Sequence, residues 1–202
     1  NLLINKRFNM EKNINLNNLM SAVDVPADWI GLREVFEAHT PRMIRDGVPV
    51  INARTSTHGV MVEVLVNGQF GYYGTPDISS KGISQAAFSA YKQAQLASEN
   101  AIYNFDQSAR PPHKGFYNSP FIKDRNSIPA GELNQILLEA YNHLKVNNKI
   151  VSASSLCQII EANFNFVSSN GSDISQEFLM FEFDLSATAA DGSNQQTRTF
   201  GG

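Results

Sequence analysis

Val60, Val62, Val64 and Val66 alternate with Met61, Glu63 and Leu65, and Asn67-Gly68 follows at once. A period of two with β-branched residues on one side makes a strand with one apolar face. After the Asn-Gly come Gln69, Phe70, Gly71, Tyr72 and Tyr73. Asn-Gly between two β-rich runs predicts a tight hairpin, because both central residues of such a turn take positive φ. The valine face of that hairpin must then be covered by another element.

The β pattern extends from Trp29 to Thr75, with a second turn at Asp46-Gly47 and Pro49 suited to a sheet edge. Beyond Thr75-Pro-Asp, Ser79 or Ser80 can cap a helix. Ile83, Ala87, Ala90, Tyr91, Ala94, Ala97, Ala101, Ile102 and Phe105 recur at steps of three and four. They predict a long Ala-rich helix whose small side chains let it lie close to a sheet. Residues 106–127, with Pro111, Pro112, Gly115 and Pro120, read as a linker. A second helix is expected from about Pro129 to Val146, with Leu133, Ile136, Leu137, Ala140, Tyr141 and Leu144 as its buried stripe.

The last fifty residues return to β. Ile160, Ala162, Phe164 and Phe166 alternate with Glu161, Asn163 and Asn165, and Phe181, Phe183 and Leu185 with Glu182, Asp184 and Ser186. A two-residue turn at Asn170-Gly171 would set Ile160 opposite Phe181 and Ala162 opposite Leu179. Phe164, Phe166, Phe181 and Phe183 would then share one face and need a cover. Asp191-Gly192 predicts one more hairpin, with Gln196 to Phe200 as its return strand.

The fold class is α+β: an antiparallel sheet with hairpins, a long Ala-rich helix, a second helix, then a second run of antiparallel strands. Three regions are expected. Residues 1–24 are an Asn-rich segment, with seven asparagines in the first eighteen residues. That segment is poorly ordered or holds a short helix around Leu16 to Val23, ended by Pro26. Residues 25–125 form a β-sheet plus long helix, and residues 126–202 a helix plus antiparallel hairpins.

Composition excludes several functions. Sixteen basic and 19 acidic residues leave a net charge of −3, the wrong sign for a protein that neutralises phosphates, so direct nucleic-acid binding is not expected. No apolar run approaches the roughly 20 residues of a membrane helix, and no signal-peptide layout opens the chain. Cys157 is the one cysteine, so no internal disulfide forms and a cytoplasmic setting is expected.

No set of residues completes an active site. His39, His58, His113 and His143 lack the spacing that places two metal ligands on one helix face. His58 reads as a surface histidine at a strand end, and His143 as a complement to a helix dipole. The run Arg110-Pro-Pro-His-Lys reads as a solvated basic loop. Cys157 sits in a β pattern and suits a buried small hydrophobe better than a reactive thiolate. Glu161 with Glu182, or Glu182 with Asp184, offers a carboxylate pair, but alternation leaves Glu182 and Asp184 on a solvated face. Catalytic, cofactor-binding and metal residues are therefore expected to be none.

The order of segments nevertheless carries a resemblance. Leu32-Arg-Glu-Val-Phe-Glu-Ala, Arg45-Asp-Gly-Val-Pro, Thr57-His-Gly-Val-Met-Val-Glu-Val-Leu-Val-Asn-Gly-Gln-Phe-Gly-Tyr and Thr75-Pro-Asp-Ile-Ser come first. The Ala-rich helix, Ser119-Pro, Phe166-Val-Ser-Ser-Asn-Gly, Leu185-Ser-Ala-Thr-Ala and Gln196-Thr-Arg-Thr-Phe-Gly-Gly follow. Over roughly residues 25–202 this resembles the N-terminal half of the TldD/PmbA family, also called modulators of DNA gyrase. The resemblance implies a zinc metallopeptidase of small or unfolded peptides, assembled as a homodimer or a heterodimer with a related subunit around an enclosed cavity. It also implies that zinc and the His-Glu-x-x-x-His motif belong to a C-terminal half outside this sequence. This chain would then be inactive alone and would serve assembly and enclosure. The alternative is a stand-alone, non-catalytic peptide-binding module or partner subunit.

Overall fold

Eight strands join in one continuous sheet in a computed structural model that describes residues 14–120 and 128–202. The elements are α1 (Leu16–Met20), β1 (Trp29–Arg45), β2 (Val48–Asn52), β3 (Thr55–Val66), β4 (Gln69–Thr75) and α2 (Ser80–Ser98), then β5 (Lys114–Asn118), α3 (Ala130–Leu144), β6 (Ile150–Ser168), β7 (Asp173–Asp191) and β8 (Asn194–Gly201). The strand order is β4-β3-β1-β6-β7-β5, with β2 on β1 and β8 on β7. Every pair is antiparallel except β5 with β7. The α+β class read from the sequence is what the chain forms. The loosely held segment expected at residues 1 to about 10 lies outside the described residues. No described helix is long and apolar enough to cross a membrane.

The turns follow their residue chemistry. Asn67 and Gly68 both take positive φ (49° and 79°), as do Asp46 and Gly47 (49° and 84°). Ser79 caps α2, its Oγ accepting from Gly82 N–H at 3.2 Å.

The three α-helices of the described residues pack on one face of the sheet. Leu32 of β1, Val60, Val62 and Val64 of β3 and Val167 of β6 form an apolar cluster with Leu16 of α1 and Ile83, Ala86, Ala87, Ala90 and Ala94 of α2. Ile44, Cys157 and Ile159 form a second cluster with Leu133 and Leu137 of α3. Leu32 and Ile44 are both even-numbered residues of β1, and alternation places them on the same side. The Ala stripe brings α2 against β4 so closely that a Cβ on Gly71 would collide with the Ala90 carbonyl.

Three expectations are corrected. The β6–β7 hairpin is shifted by one residue: Ile160 faces Met180, Ile159 faces Phe181 and Ala162 faces Phe178. Asn170-Gly171 does not make a two-residue turn, since Gly171 has positive φ and Asn170 does not. Ser168 closes a longer loop instead, its Oγ accepting from Ser172 N–H at 3.0 Å and its carbonyl from Gly171 N–H at 3.0 Å. Asn170 is drawn aside to accept from Trp29 Nε1 at 2.9 Å. A one-residue slip inverts a strand relative to its neighbour. Phe164 and Phe166 therefore lie on the face opposite Phe181 and Phe183, and no four-phenylalanine face exists.

The Ala-rich helix stops at Ser98, so Ala101, Ile102 and Phe105 are not helical. Phe105 N–H donates to the Gly68 carbonyl at 2.8 Å, and its ring meets Phe70 with centroids 5.6 Å apart, which draws the chain past the end of the hairpin. Within the expected linker, residues 114–118 pair in parallel with β7. A five-residue strand with a central glycine carries too short a pattern to be read by period.

Candidate functional site

Between the two apolar clusters, the helix-bearing face carries a band of buried polar side chains. Glu34 and Thr40 of β1, Glu161 and Asn163 of β6 and Glu177 of β7 are all buried. His58 of β3 reaches Glu34, with Nε2 2.8 Å from Oε1. Asn165 Nδ2 donates to the other Glu34 oxygen at 2.8 Å, and Ser175 Oγ donates to Asn165 Oδ1 at 2.7 Å. The Phe36 ring meets His58 edge-on at 5.6 Å. Along the same face, Arg54 donates to Glu161 at 2.7 Å and to Thr40 Oγ1 at 3.3 Å. Buried carboxylates survive folding only when donors satisfy them, and these two are so held.

Among the described residues, no hydroxyl or thiol is hydrogen-bonded to His58. A nucleophile needs a hydroxyl or thiol hydrogen-bonded to a base. His58 is engaged with Glu34, while Ser175 donates to Asn165 and Thr40 accepts from Arg54. Cys157 lies in the α3 cluster, where burial pushes its thiol pKa up and nearby Arg42 opposes that shift.

The remaining sequence candidates do not converge either. His39 is held between Glu37 at 3.5 Å and Gln158 at 3.3 Å. The backbone amide of His113 donates to Ser172 Oγ, and His143 Nδ1 lies 2.7 Å from the Glu139 carbonyl oxygen. Glu161 and Glu182 fall on opposite faces of the sheet. Among the described residues no group of three or more His, Cys, Asp or Glu side chains is arranged to hold a metal. The described residues do not fit a zinc site.

His58 stands within β3 and not at its end. Arg110, expected in solvent, is seated on the other face of the sheet. Its guanidinium lies 4.8 Å from the Phe70 centroid and 3.7 Å from Glu63 Oε2. Glu63 also pairs with Arg33 at 3.3 Å, and Arg33 lies 5.3 Å from the Phe166 centroid. Together these contacts pin residues 103–110 over one end of that face, next to Trp29. Farther along, no described helix covers the face. Phe164, Phe178 and Tyr117 cluster there with centroids 5.2–5.6 Å apart, and Met180 beside them is exposed. Sequence reading missed Glu34, Asn165 and Glu177, because a polar residue alternating with apolar ones in a strand ordinarily marks the solvent side.

The profile of the PmbA/TldA metallopeptidase domain 1 matches residues 42–94. The resemblance of this chain to the TldD/PmbA family is borne out. Solved TldD/PmbA-related structures share its fold across most of its length. A proposed modulator of DNA gyrase from Bacteroides thetaiotaomicron matches 92% of this chain and 42% of its own, with a TM-score of 0.70 at 14% identity. A proposed modulator from Thermotoga maritima matches 86% and 38%, with a TM-score of 0.64 at 10% identity. TldE from Thermococcus kodakarensis matches 92% and 41%, with a TM-score of 0.60 at 12% identity. The chain thus spans about two fifths of the length of these structures. No curated protein matches its sequence.

Proposed function

We propose that this chain is the N-terminal, non-catalytic region of a TldD/PmbA-like zinc metallopeptidase of small or unfolded peptides. Its role is to bring subunits together, as a homodimer or with a related subunit, and to wall off the cavity in which cytoplasmic peptides are cut. Zinc and the groups that activate it belong to a separate C-terminal half. The observation that carries this reading is the sheet face around Phe164, Phe178, Tyr117 and Met180, which no described helix covers while the opposite face holds all three. Covering an aromatic side chain stabilises by about 1.5–3 kcal/mol, so such a face favours a partner.

Light scattering across a concentration series tests the reading. The expected result is a dimer that Met180→Asp converts to a monomer without loss of folded structure. A monomer of the unaltered chain at high micromolar concentration would remove this face from the assembly.

A further inference from the structure

Strand β7 is flanked on its outer side by two short strands that do not meet. β5 pairs with residues 173–177 and β8 with residues 184–191. Residues 178–183 keep β6 on one side, and among the described residues no strand pairs with them on the other. Successive strand residues turn their amide and carbonyl to alternate sides, and on β7 the odd-numbered residues face outward. Ser119 N–H donates to the Glu177 carbonyl at 2.9 Å, and Phe183 N–H donates to the Gly202 carbonyl at 3.4 Å. Leu179 and Phe181 therefore direct N–H and C=O into the gap. Met180 and Phe181 beside it are 46% and 56% exposed.

The gap is acidic. β7 carries Asp173, Glu177, Glu182, Asp184 and Asp191 and no Lys or Arg. Lys149 pairs with Asp191 at the far end. At the near end Glu177 is only 7% exposed, and its Oε2 has no hydrogen-bond partner. Asn118 faces Glu177 from the last position of β5, and its Oδ1 is buried and unpartnered as well. Two adjacent buried acceptors require a donor, and leaving them without one is destabilising.

We propose that the β7 gap accepts an extended basic peptide segment, which adds as a short strand and sets a Lys or Arg against Glu177 and Asn118. A residue opposite Leu179 lies on the same face as Glu177 and diagonal to it, within reach of a long side chain. The β7 strand of a second copy does not fit, because its own β5 and β8 would collide with those already flanking the gap. The other outer strands suit a basic segment less: β2 and β4 carry no charge, β5 carries only Lys114 and β8 only Arg198. The proposal goes beyond the peptidase reading and stands without it.

The test uses the 202-residue chain with fluorescein-labelled decapeptides. One alternates Lys and Val, a second alternates Glu and Val, and a third is the Lys-Val peptide N-methylated at alternate residues. The expected result is saturable anisotropy with the first, weakened by salt, and none with the other two. Amide hydrogen exchange at Leu179 and Phe181 slows on binding. Glu177→Gln weakens binding about tenfold, the scale of one charge-assisted hydrogen bond. Phe181→Pro abolishes it, since the Phe181 N–H serves the gap and not β6. Equal binding of the Glu-Val peptide, or undiminished binding of the N-methylated one, overturns the proposal. So does protection that appears on β4 or β8 instead of β7. The N-methylated arm decides the matter even if Phe181→Pro fails to fold.

Discussion

His58 Nε2 lies 2.8 Å from Glu34 Oε1, across the β3–β1 ladder. Glu34 is buried, and its second oxygen is taken by Asn165. His58→Ala therefore strands one carboxylate oxygen and should cost about 1–3 kcal/mol in urea unfolding. Pairing it with Glu34→Gln should recover part of that loss in a double-mutant cycle. A single-mutant change within about 0.5 kcal/mol would show that the pair is not a structural tie.

Gly71→Ala should destabilise by about 1–3 kcal/mol, because the new methyl meets the Ala90 carbonyl and α2 must move off β4. Gly74→Ala is the control on the same strand, where a Cβ meets nothing within 4 Å. Its effect should stay within about 0.5 kcal/mol. Equal effects at both positions would contradict the close approach of α2.

Cys157 should resist labelling by a thiol reagent in the native protein. Its side chain is sealed beneath α3, and burial raises the thiol pKa above the ordinary cysteine range, so little thiolate exists at neutral pH. Native labelling about 100-fold or more slower than in denaturant is expected, since reaction waits on local opening. Comparable rates would place the cysteine on the surface.

Asp77 should make folding weakly acid-sensitive. The Ser79 side chain and then the Ser79 amide hydrogen-bond its carboxylate, and with Lys81 they hold its pKa below 3.8 despite the opposing effect of desolvation. Asp106 is lowered likewise by Ser108. A pKa depressed in the folded state gives stability that is complete above the unfolded value and is lost as pH falls through the folded one. The thermal midpoint should therefore drop between about pH 5 and pH 2, and Asp77→Asn with Asp106→Asn should flatten the drop. An unchanged slope would assign acid sensitivity to other carboxylates.

The sequence by itself determined the elements whose signals are local. Asn67-Gly68 and Asp46-Gly47 specify turns through the φ values they tolerate, the alternating valines specify β3, and Ser79 with the alanine stripe specifies α2 and its close seat on the sheet. Only the tertiary structure decided how distant elements meet. The β6–β7 register depended on Ser168 closing the loop and on Asn170 being drawn to Trp29, a residue 141 positions away. One residue of slip then separated Phe164 from Phe181. Burial of Glu34, Glu161 and Glu177 was equally hidden, because a strand with polar and apolar residues in alternation looks the same whichever side the helices cover. Helices α2 and α3 cover the side that carries the carboxylates, and no described helix covers the side of Phe164 and Phe178, a choice set by where each helix's apolar stripe found a matching patch on the sheet.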